Sequence, residues 1–250
     1  MAGHRLCQIA RWPALPLACV LGAAAPPVVA VTPSGDTVPE RLLRITVTFA
    51  APSAVAAPET ALRRDDGSVI GGALLTQPLW SPDRRKLTLL LAPGRVKTGL
   101  VAHDTQGWAL AAGSGVTLWV QGAPAHHWTV VAGGCQSLAV PAWHIEPPAA
   151  GSRAPLAVSL NAAVDGVAVG LIAIAQADGW RVAGAASLTD AERRWAFVPD
   201  TAWAAGHYRL VVHPRLETPC GDEAGDLFEH PAGSSATPAV AAPVLDFVIE

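Results

Sequence analysis

Residues 80–100, WSPDRRKLTLLLAPGRVKTGL, contain the clearest strand pattern of the chain. Leu87, Leu89 and Leu91 alternate with other side chains, and an alternation with a period of two places apolar residues on one face of a β-strand. A Ser-Pro-Asp sequence before the strand and Pro93-Gly94 after it have the composition of turns. The stretch therefore predicts a strand bounded by two turns.

A weaker copy of this pattern lies near the C-terminus, where residues 193–200 read RRWAFVPD. Two further features also recur, so that three features repeat at separations of 109 to 112 residues. The matched segments are 84–85 with 193–194, 45–49 with 156–160, and 65–67 with 177–179. Near-constant separations of independent features indicate an internal repeat. A chain of 250 residues has room for two domains of about 100 residues each.

The strand patterns are short, and Gly, Pro and Asp turns separate them about every ten residues. No segment carries a convincing run of apolar residues at helical spacing. The pattern predicts an all-β protein of two tandem antiparallel β-sandwich domains. We expect a signal peptide in residues 1–28, a first domain in 29–122, a linker in 123–140 and a second domain in 141–250.

The start of each copy follows one order of turns and strands. In the first copy residues 33–35 (PSG) and 38–39 (VP) precede the alternating segment 43–49, and a later strand ends in Asp66-Gly67. Residues 148–160 with Asp178-Gly179 repeat this order. The pattern resembles the bacterial Ig-like domains of S-layer and other exported bacterial proteins. The resemblance implies two Ig-like sandwiches that serve as a spacer, stalk or binding module, with no catalytic residues.

The N-terminal residues have the composition of a secretory signal peptide. Arg5 and Arg11 precede an apolar run over residues 13–25, and small residues suited to signal peptidase follow, so cleavage is expected within 23–30. The run is too short to span about 30 Å of hydrocarbon. We therefore predict a periplasmic or secreted protein without a transmembrane segment after signal removal. Lipoprotein anchoring at Cys19 is an alternative.

Two cysteines, Cys135 and Cys220, lie outside the predicted signal. In an oxidising compartment they can form a disulfide. Closing a loop of about 80 residues would contribute on the order of 4 kcal/mol in the chain-entropy model. Two unpaired cysteines in separate loops are the alternative, because sequence does not show whether the Cα atoms come within reach.

Charge and motifs argue against several classes of function. The formal net charge of −3 gives nucleic acid no basic surface. The chain has no nucleophile elbow, no zinc-protease motif, no Cys-x-x-Cys and no EF-hand loop. His207 and His213 would lie about 20 Å apart along one strand, too far for one metal ion. The sequence therefore predicts no enzyme, no cofactor and no metal site.

Eight tryptophans follow the predicted signal, and we expect most of them in the cores. Trp108 and Trp128 lie instead in a loop and in the predicted linker, where they could contact a glycan or a protein partner. The second copy lacks most of the extension that contains Trp108, residues 93–113. That extension is the first place to expect a binding surface.

These features predict a non-catalytic exported protein that acts as a structural or protein-interaction module at the cell envelope. The partner would be a protein or an envelope component. The alternative is a periplasmic carbohydrate- or metal-binding protein that uses exposed tryptophans or histidines. Exposure separates the two hypotheses, because buried tryptophans and scattered histidines would remove the basis of the second.

Overall fold

A computed structural model describes residues 25–98, 100–224 and 243–250. Within these residues the first half contains eight strands: β1 (Val28–Thr32), β2 (Thr37–Pro39), β3 (Arg44–Phe49), β4 (Thr60–Arg64), β5 (Leu79–Trp80), β6 (Lys86–Leu90), β7 (Gly115–Val120) and β8 (Ala123–Val131). The second half contains seven: β9 (His144–Glu146), β10 (Leu156–Ser159), β11 (Ile172–Gln176), β12 (Gly184–Thr189), β13 (Arg194–Pro199), β14 (Gly206–Val212) and β15 (Val244–Ile249).

Helical structure in the described residues is short. One α-helix, α1 (Val101–Gln106), lies between β6 and β7. Three 3-10 turns occupy Pro93–Arg95, Val140–Ala142 and Ala168–Leu171. The sequence showed no helical periodicity, and a six-residue helix is too short to produce one.

Strands β1 to β8 form two four-stranded sheets, with the orders β1-β3-β6-β5 and β2-β8-β7-β4. The pairs are antiparallel except for β2, which runs parallel to β8. The alternation seen in the sequence places Ile45 and Leu87 on the inner face of the first sheet and Leu62 and Leu118 on that of the second, where each is at most 1 % exposed. The first domain is therefore a β-sandwich.

Strands β9 to β15 form a second sandwich, with a four-stranded sheet β9-β10-β13-β12 and a three-stranded sheet β11-β14-β15. The four-stranded sheet repeats the order of the first sheet, because β9, β10, β13 and β12 take the places of β1, β3, β6 and β5. The three-stranded sheet has no counterpart of β2. The prediction of an all-β chain with two tandem Ig-like sandwiches is confirmed.

Each sandwich encloses its own hydrophobic core. One cluster draws its buried residues from 31–130 and the other from 138–249. The first core is mainly aliphatic. The second contains a row of aromatic rings in which Trp195 stacks on Phe197, followed by Trp203, Tyr208 and Phe247, with successive centroids 5.6 to 6.0 Å apart.

The structure places one segment differently from the sequence prediction. Residues 123–131, expected in the linker, form β8 and continue the first sandwich beyond β7. Trp128 and Val130 face the core of the first domain, each 1 % exposed, and this burial holds the strand in the sheet. The predicted signal lies mostly outside the described residues, and β1 begins at Val28.

Candidate functional site

The two domains meet along a loop that follows β14. In this loop the carbonyl oxygen of Pro219 accepts hydrogen bonds from the backbone N–H groups of Leu43 and Arg44, at 3.0 and 3.1 Å. Leu43 and Arg44 lie at the start of β3 in the first domain. Residues 213–224, here called the strap, therefore reach from the second domain to the backbone of the first.

An ion-pair network lies beside this contact. The guanidinium of Arg44 binds the carboxylate of Glu217 in the strap and lies 3.4 Å from that of Asp165. Asp165 is 2 % exposed. Burial acts to lower the pKa of Arg44, but the hydrogen bond to Glu217 and the charges of Glu217 and Asp165 outweigh it and raise that pKa. One cation of the first domain thus neutralises two acids of the second.

A second buried acid of the second domain faces the first. The carboxylate of Glu192, 3 % exposed, accepts the backbone N–H of Ser34 at 3.0 Å. Burial raises the pKa of Glu192. The turn that carries it has left-handed backbone at Asp190, Ala191 and Glu192, with φ of 52°, 49° and 60°. This conformation is uncommon for residues other than glycine.

Gly35 allows this turn to approach the first domain. A Cβ atom at Gly35 would lie 3.0 Å from the Cβ of Ala191. A larger residue at position 35 would therefore push the two domains apart at this point.

A disulfide between Cys135 and Cys220, whose Cα atoms are 5.8 Å apart, fixes the strap next to Pro219. The backbone N–H of Cys135 also donates to Sγ of Cys220 at 3.0 Å. Cys135 belongs to the connection between the domains, and Cys220 is the residue after Pro219. The covalent bond thus holds the strap where Pro219 meets β3.

A cavity of about 200 Å³ lies along this junction, and both domains line it. Val38 and Val131 contribute from the first domain, Ala163 and Arg193 from the second, and Cys135 from the connection. Its walls are the same segments that hold the domains together. We therefore treat the junction, and not the cavity alone, as the main candidate functional feature.

The extension at residues 93–113 closes on its own domain through a buried arginine. Arg95 is 7 % exposed, and its guanidinium donates to the carbonyl oxygens of Gly71, Gly107 and Trp108, at 2.6 to 3.3 Å. Three donors on a planar cation fit three carbonyl groups in a fixed arrangement. The extension is therefore packed onto the sandwich.

The two tryptophans predicted to contact a ligand have different surroundings. Trp108 is half-buried in the extension, and its ring lies 4.4 Å from that of His103. Trp128 is 1 % exposed and donates its indole N–H to the carbonyl oxygen of Pro33 at 2.9 Å. A ring buried to this degree offers no surface to a partner, because it fills the first core and fixes the entry to β2.

Sequence reasoning missed the most exposed tryptophan. Trp180 is 76 % exposed at the turn after β11, whereas the other seven described tryptophans are buried or half-buried. An alignment of the repeated turns, DDGS at 65–68 with ADGW at 177–180, could have singled it out. The junction residues gave no such signal, since they come from separate segments.

The histidines that the structure describes do not gather into a metal site. His126 contacts the carbonyl of Gly35, and His127 contacts the carboxylate of Asp65. Among the described residues, no group of three or more His, Cys, Asp or Glu side chains is placed to hold a metal ion. In the same part of the chain, no helix is long and apolar enough to cross a bilayer.

No protein-family model matches the chain, and no curated protein matches it by sequence. Among solved structures, domains 5–6 of the S-layer protein SbsC align with 91 % of this chain and 98 % of their own, at 10 % identity and a TM-score of 0.26. The BSP domain of a biofilm-associated protein aligns with 70 % of this chain and 25 % of its own, at 8 % identity and a TM-score of 0.25.

The Yersinia pseudotuberculosis adhesin InvE aligns with 88 % of this chain and 57 % of its own, at 10 % identity and a TM-score of 0.23. At such TM-scores these likenesses carry no argument about this chain. The assignment of two Ig-like sandwiches rests on its own strand order and cores.

Proposed function

We propose that this chain is a non-catalytic, exported module of the cell envelope, in which two Ig-like domains held in one relative orientation serve as a structural spacer or a platform for a protein partner. The observation that supports the proposal is the junction, where a disulfide, backbone hydrogen bonds and an ion-pair network join the domains. Tandem domains joined only by an exposed linker move relative to one another by default.

Each contact in the junction restrains the orientation in a different way. The hydrogen bonds to Pro219 set the distance between the strap and β3. The ion pairs of Arg44 and the bond from Ser34 to Glu192 act on either side of it. The disulfide keeps the strap from swinging away as a whole. A spacer must hold its two ends in a fixed relative position. The contacts of the junction restrain that position without a ligand.

Small-angle X-ray scattering tests the orientation directly. We expect the oxidised protein to scatter as one rigid two-domain particle, and the Cys135→Ser/Cys220→Ser variant to show a broader distribution of interatomic distances. A variant of the surface ion pair, Arg194→Met, removes an exposed contact within the second domain and should scatter like the wild type. Scattering of the oxidised wild type as two freely jointed domains would contradict the proposal.

The export part of the proposal rests on the predicted signal and on the disulfide, which persists in oxidising compartments. Expression of the full chain in a Gram-negative host, followed by fractionation and intact-mass measurement, tests it. We expect a periplasmic or secreted product that begins within residues 24–31. A product that retains Met1 in the cytoplasm would refute export, and a lipid-modified product beginning at Cys19 would replace cleavage in this window by anchoring.

The interaction part of the proposal needs an identified partner. A photo-crosslinking residue placed on the exposed surface of the first domain, for example at Leu79, would be compared in living cells with one at the buried position Val140. We expect one discrete crosslinked envelope protein from the exposed position. Absence of any discrete product from several exposed positions would favour the spacer role over the platform role.

A further inference from the structure

The two domains carry the same hairpin turn. In the first, the N–H of Gly67 donates to the carbonyl of Arg64 at 2.8 Å, and the N–H of Ser68 donates to the carboxylate of Asp66 at 2.8 Å. In the second, Gly179 and Trp180 make the equivalent bonds at 2.9 and 3.1 Å. Gly67 and Gly179 both have positive φ, 81° and 90°. The repeat thus supplies an internal control for the turn.

The residue after the glycine differs between the copies, although the turn does not. Ser68 stands in the first copy and Trp180 in the second, and both build the turn with their backbone N–H and carbonyl groups, although Ser68 Oγ also accepts a hydrogen bond from Arg64. The turn therefore does not need a tryptophan. Trp180 also fills no core, since it is 76 % exposed. A large aromatic ring that is exposed at a hairpin tip, and that the equivalent turn of the first domain does without, is available for contact with something outside the chain.

Hydrogen-bonding side chains lie on the same hairpin and on the strand beside it. Arg181 follows it in sequence and is exposed. The guanidinium of Arg209 reaches the turn from β14 and donates to the carbonyl oxygen of Ala177 at 2.8 Å. Asp178 supplies a carboxylate beside them. In the first domain Val69 and Thr117 occupy the positions of Arg181 and Arg209, as the strand registers show.

These groups define the ligand by shape and charge. One flat aromatic face covers one side of a ligand, so the ligand must also be flat and apolar on its face. The polar groups include both donors and an acceptor, with two guanidinium groups opposed by Asp178 and by Asp246, the register partner of Arg209. This balance fits hydroxyl groups better than a strongly charged ligand.

We propose that the hairpin tip at Trp180 binds an uncharged polysaccharide of β-1,4-linked pyranose rings. Such a chain of glucose-type rings is a flat ribbon because both bonds of each β-1,4 link are equatorial. The hydroxyl groups are equatorial too, which leaves axial C–H groups on both faces for contact with an indole. The hydroxyl groups at the ribbon edge then meet Arg181, Arg209 and Asp178. A polymer suits a single weak platform because it presents many equivalent sites along one chain, which raises the probability of binding in proportion to their number.

A protein partner fits this tip less well. Hot-spot tryptophans in protein interfaces lie within a ring of contacts that excludes water. The chain neighbours of Trp180 are instead the exposed Asp178, Gly179 and Arg181. A sugar ring needs no such apolar surround, since its own edge is polar.

The test follows the indole N–H signal of Trp180 in ¹⁵N NMR spectra of the purified two-domain protein during titration with cellotetraose. We expect saturable movement of this signal, with a dissociation constant on the order of 1 mM, which corresponds to about −4 kcal/mol. Maltotetraose has the same rings joined by α-1,4 links and is not a flat ribbon. It should bind at least about tenfold more weakly, a loss of about 1.4 kcal/mol.

The first domain provides the matched variants. Trp180→Ser installs the residue that forms the same turn at position 68, so the fold should be retained while cellotetraose binding falls by at least about tenfold. Arg181→Val should weaken binding about two- to fivefold, as expected for an exposed contact. Trp180→Tyr retains a flat ring and should recover most of the affinity that Trp180→Ser loses.

Three results would overturn the proposal. The first is a Trp180 signal that does not move at about 20 mM cellotetraose, well above the expected dissociation constant. The second is equal binding of maltotetraose, which would remove the argument from ribbon shape. The third is a change in sedimentation coefficient between the wild type and Trp180→Ser without sugar, which would assign the tip to contact between copies of the chain. None of these results bears on the orientation measured by scattering.

Discussion

Each domain contains a four-stranded sheet of the same strand order, and the domains differ in where their long insertions lie. The order β1-β3-β6-β5 in the first domain matches β9-β10-β13-β12 in the second. The first domain has its long insertion between β6 and β7, where Arg95 closes it onto the same sandwich. The second has its insertion between β14 and β15, and part of it, the strap, crosses to the other domain.

This difference shows which residues belong to the scaffold and which do not. The repeated basic cluster illustrates the scaffold. Arg84 donates to the carbonyl of Ser53, and Arg193, which the strand registers align with Arg85, donates to that of Asn161. Both arginines fix the loop after the second strand of their sheet. The insertions have no such counterpart, and each has acquired a separate task. Features found in only one copy are therefore the better guide to function.

The largest effect is expected from a change in one core alone. Trp195 is fully buried and stacks on Phe197, so Trp195→Ala should lower the free energy of unfolding of the second domain by about 3–5 kcal/mol. Because the cores are separate, amide exchange in the first domain should change little. Leu87→Ala, at the matching position of β6, is the control and should have the reverse pattern. Equal loss of protection in both domains would show that they unfold as one unit.

The junction should be nearly as sensitive at one residue. Arg44→Met leaves Asp165 buried without its counter-ion, and the free energy of unfolding should fall by about 3 kcal/mol at neutral pH. Urea denaturation at neutral pH measures the loss. Arg194→Met, which breaks an exposed pair within the second domain, should cost much less than Arg44→Met, because water screens an exposed ion pair. Equal losses in the two variants would argue against a special role for Arg44.

A smaller and local effect is expected in the extension. Arg95→Met removes three hydrogen bonds from a charged donor, and we expect a loss of about 2 kcal/mol with faster amide exchange confined to residues 93–113. Arg95→Lys keeps the charge but not the planar fork, so its loss should be intermediate. Unchanged exchange in the extension of the methionine variant would mean that other contacts hold it.

The smallest effect concerns pH. Burial raises the pKa of Glu192 in the folded protein, so folding takes up a proton and this residue's contribution is fully present below the ordinary glutamate pKa of 4.5. The contribution is lost as pH rises through the raised pKa. Glu192→Gln, which can still accept the N–H of Ser34, should become more stable relative to the wild type as pH rises from about 4 to 8.

The groups that face Glu192 are Ser34, Asp165 and His126. The negative charge of Asp165 acts in the same direction as burial, and His126 opposes it when protonated. A constant difference in unfolding free energy between Glu192→Gln and the wild type over this pH range would contradict the expectation.

Sequence periodicity was sufficient to locate the strands that bury one face. The pattern over residues 43–49 and 86–91 places β3 and β6 to within a residue or two, because alternating apolar residues can be buried on only one side. It missed β12, whose sequence GAASLT has no alternation and whose residues are exposed or half-buried. It also missed β8, where Pro124 and two histidines conceal the inward-facing Trp128 and Val130.

The junction could not be predicted in the same way. Arg44 meets residues 121 and 173 positions further along the chain, and Ser34 meets one 158 positions away. Such contacts depend on how two folded domains are placed, and no local pattern encodes that placement. The exposure of Trp180 was accessible in principle, because the repeat aligns it with a serine, whereas the position of Trp128 in the predicted linker wrongly suggested that it was exposed.

The disulfide that fixes the strap also divides the chain by its response to force. Its two cysteines are 85 residues apart and enclose β9 to β14. If the ends of the chain were pulled apart, the enclosed segment could not lengthen, which withholds roughly 290 Å of contour at about 3.4 Å per extended residue. Extension under tension would then come from residues outside the disulfide loop, which include the first domain and the last strand. The same covalent bond that orients the domains would keep most of the second domain from being extended by force.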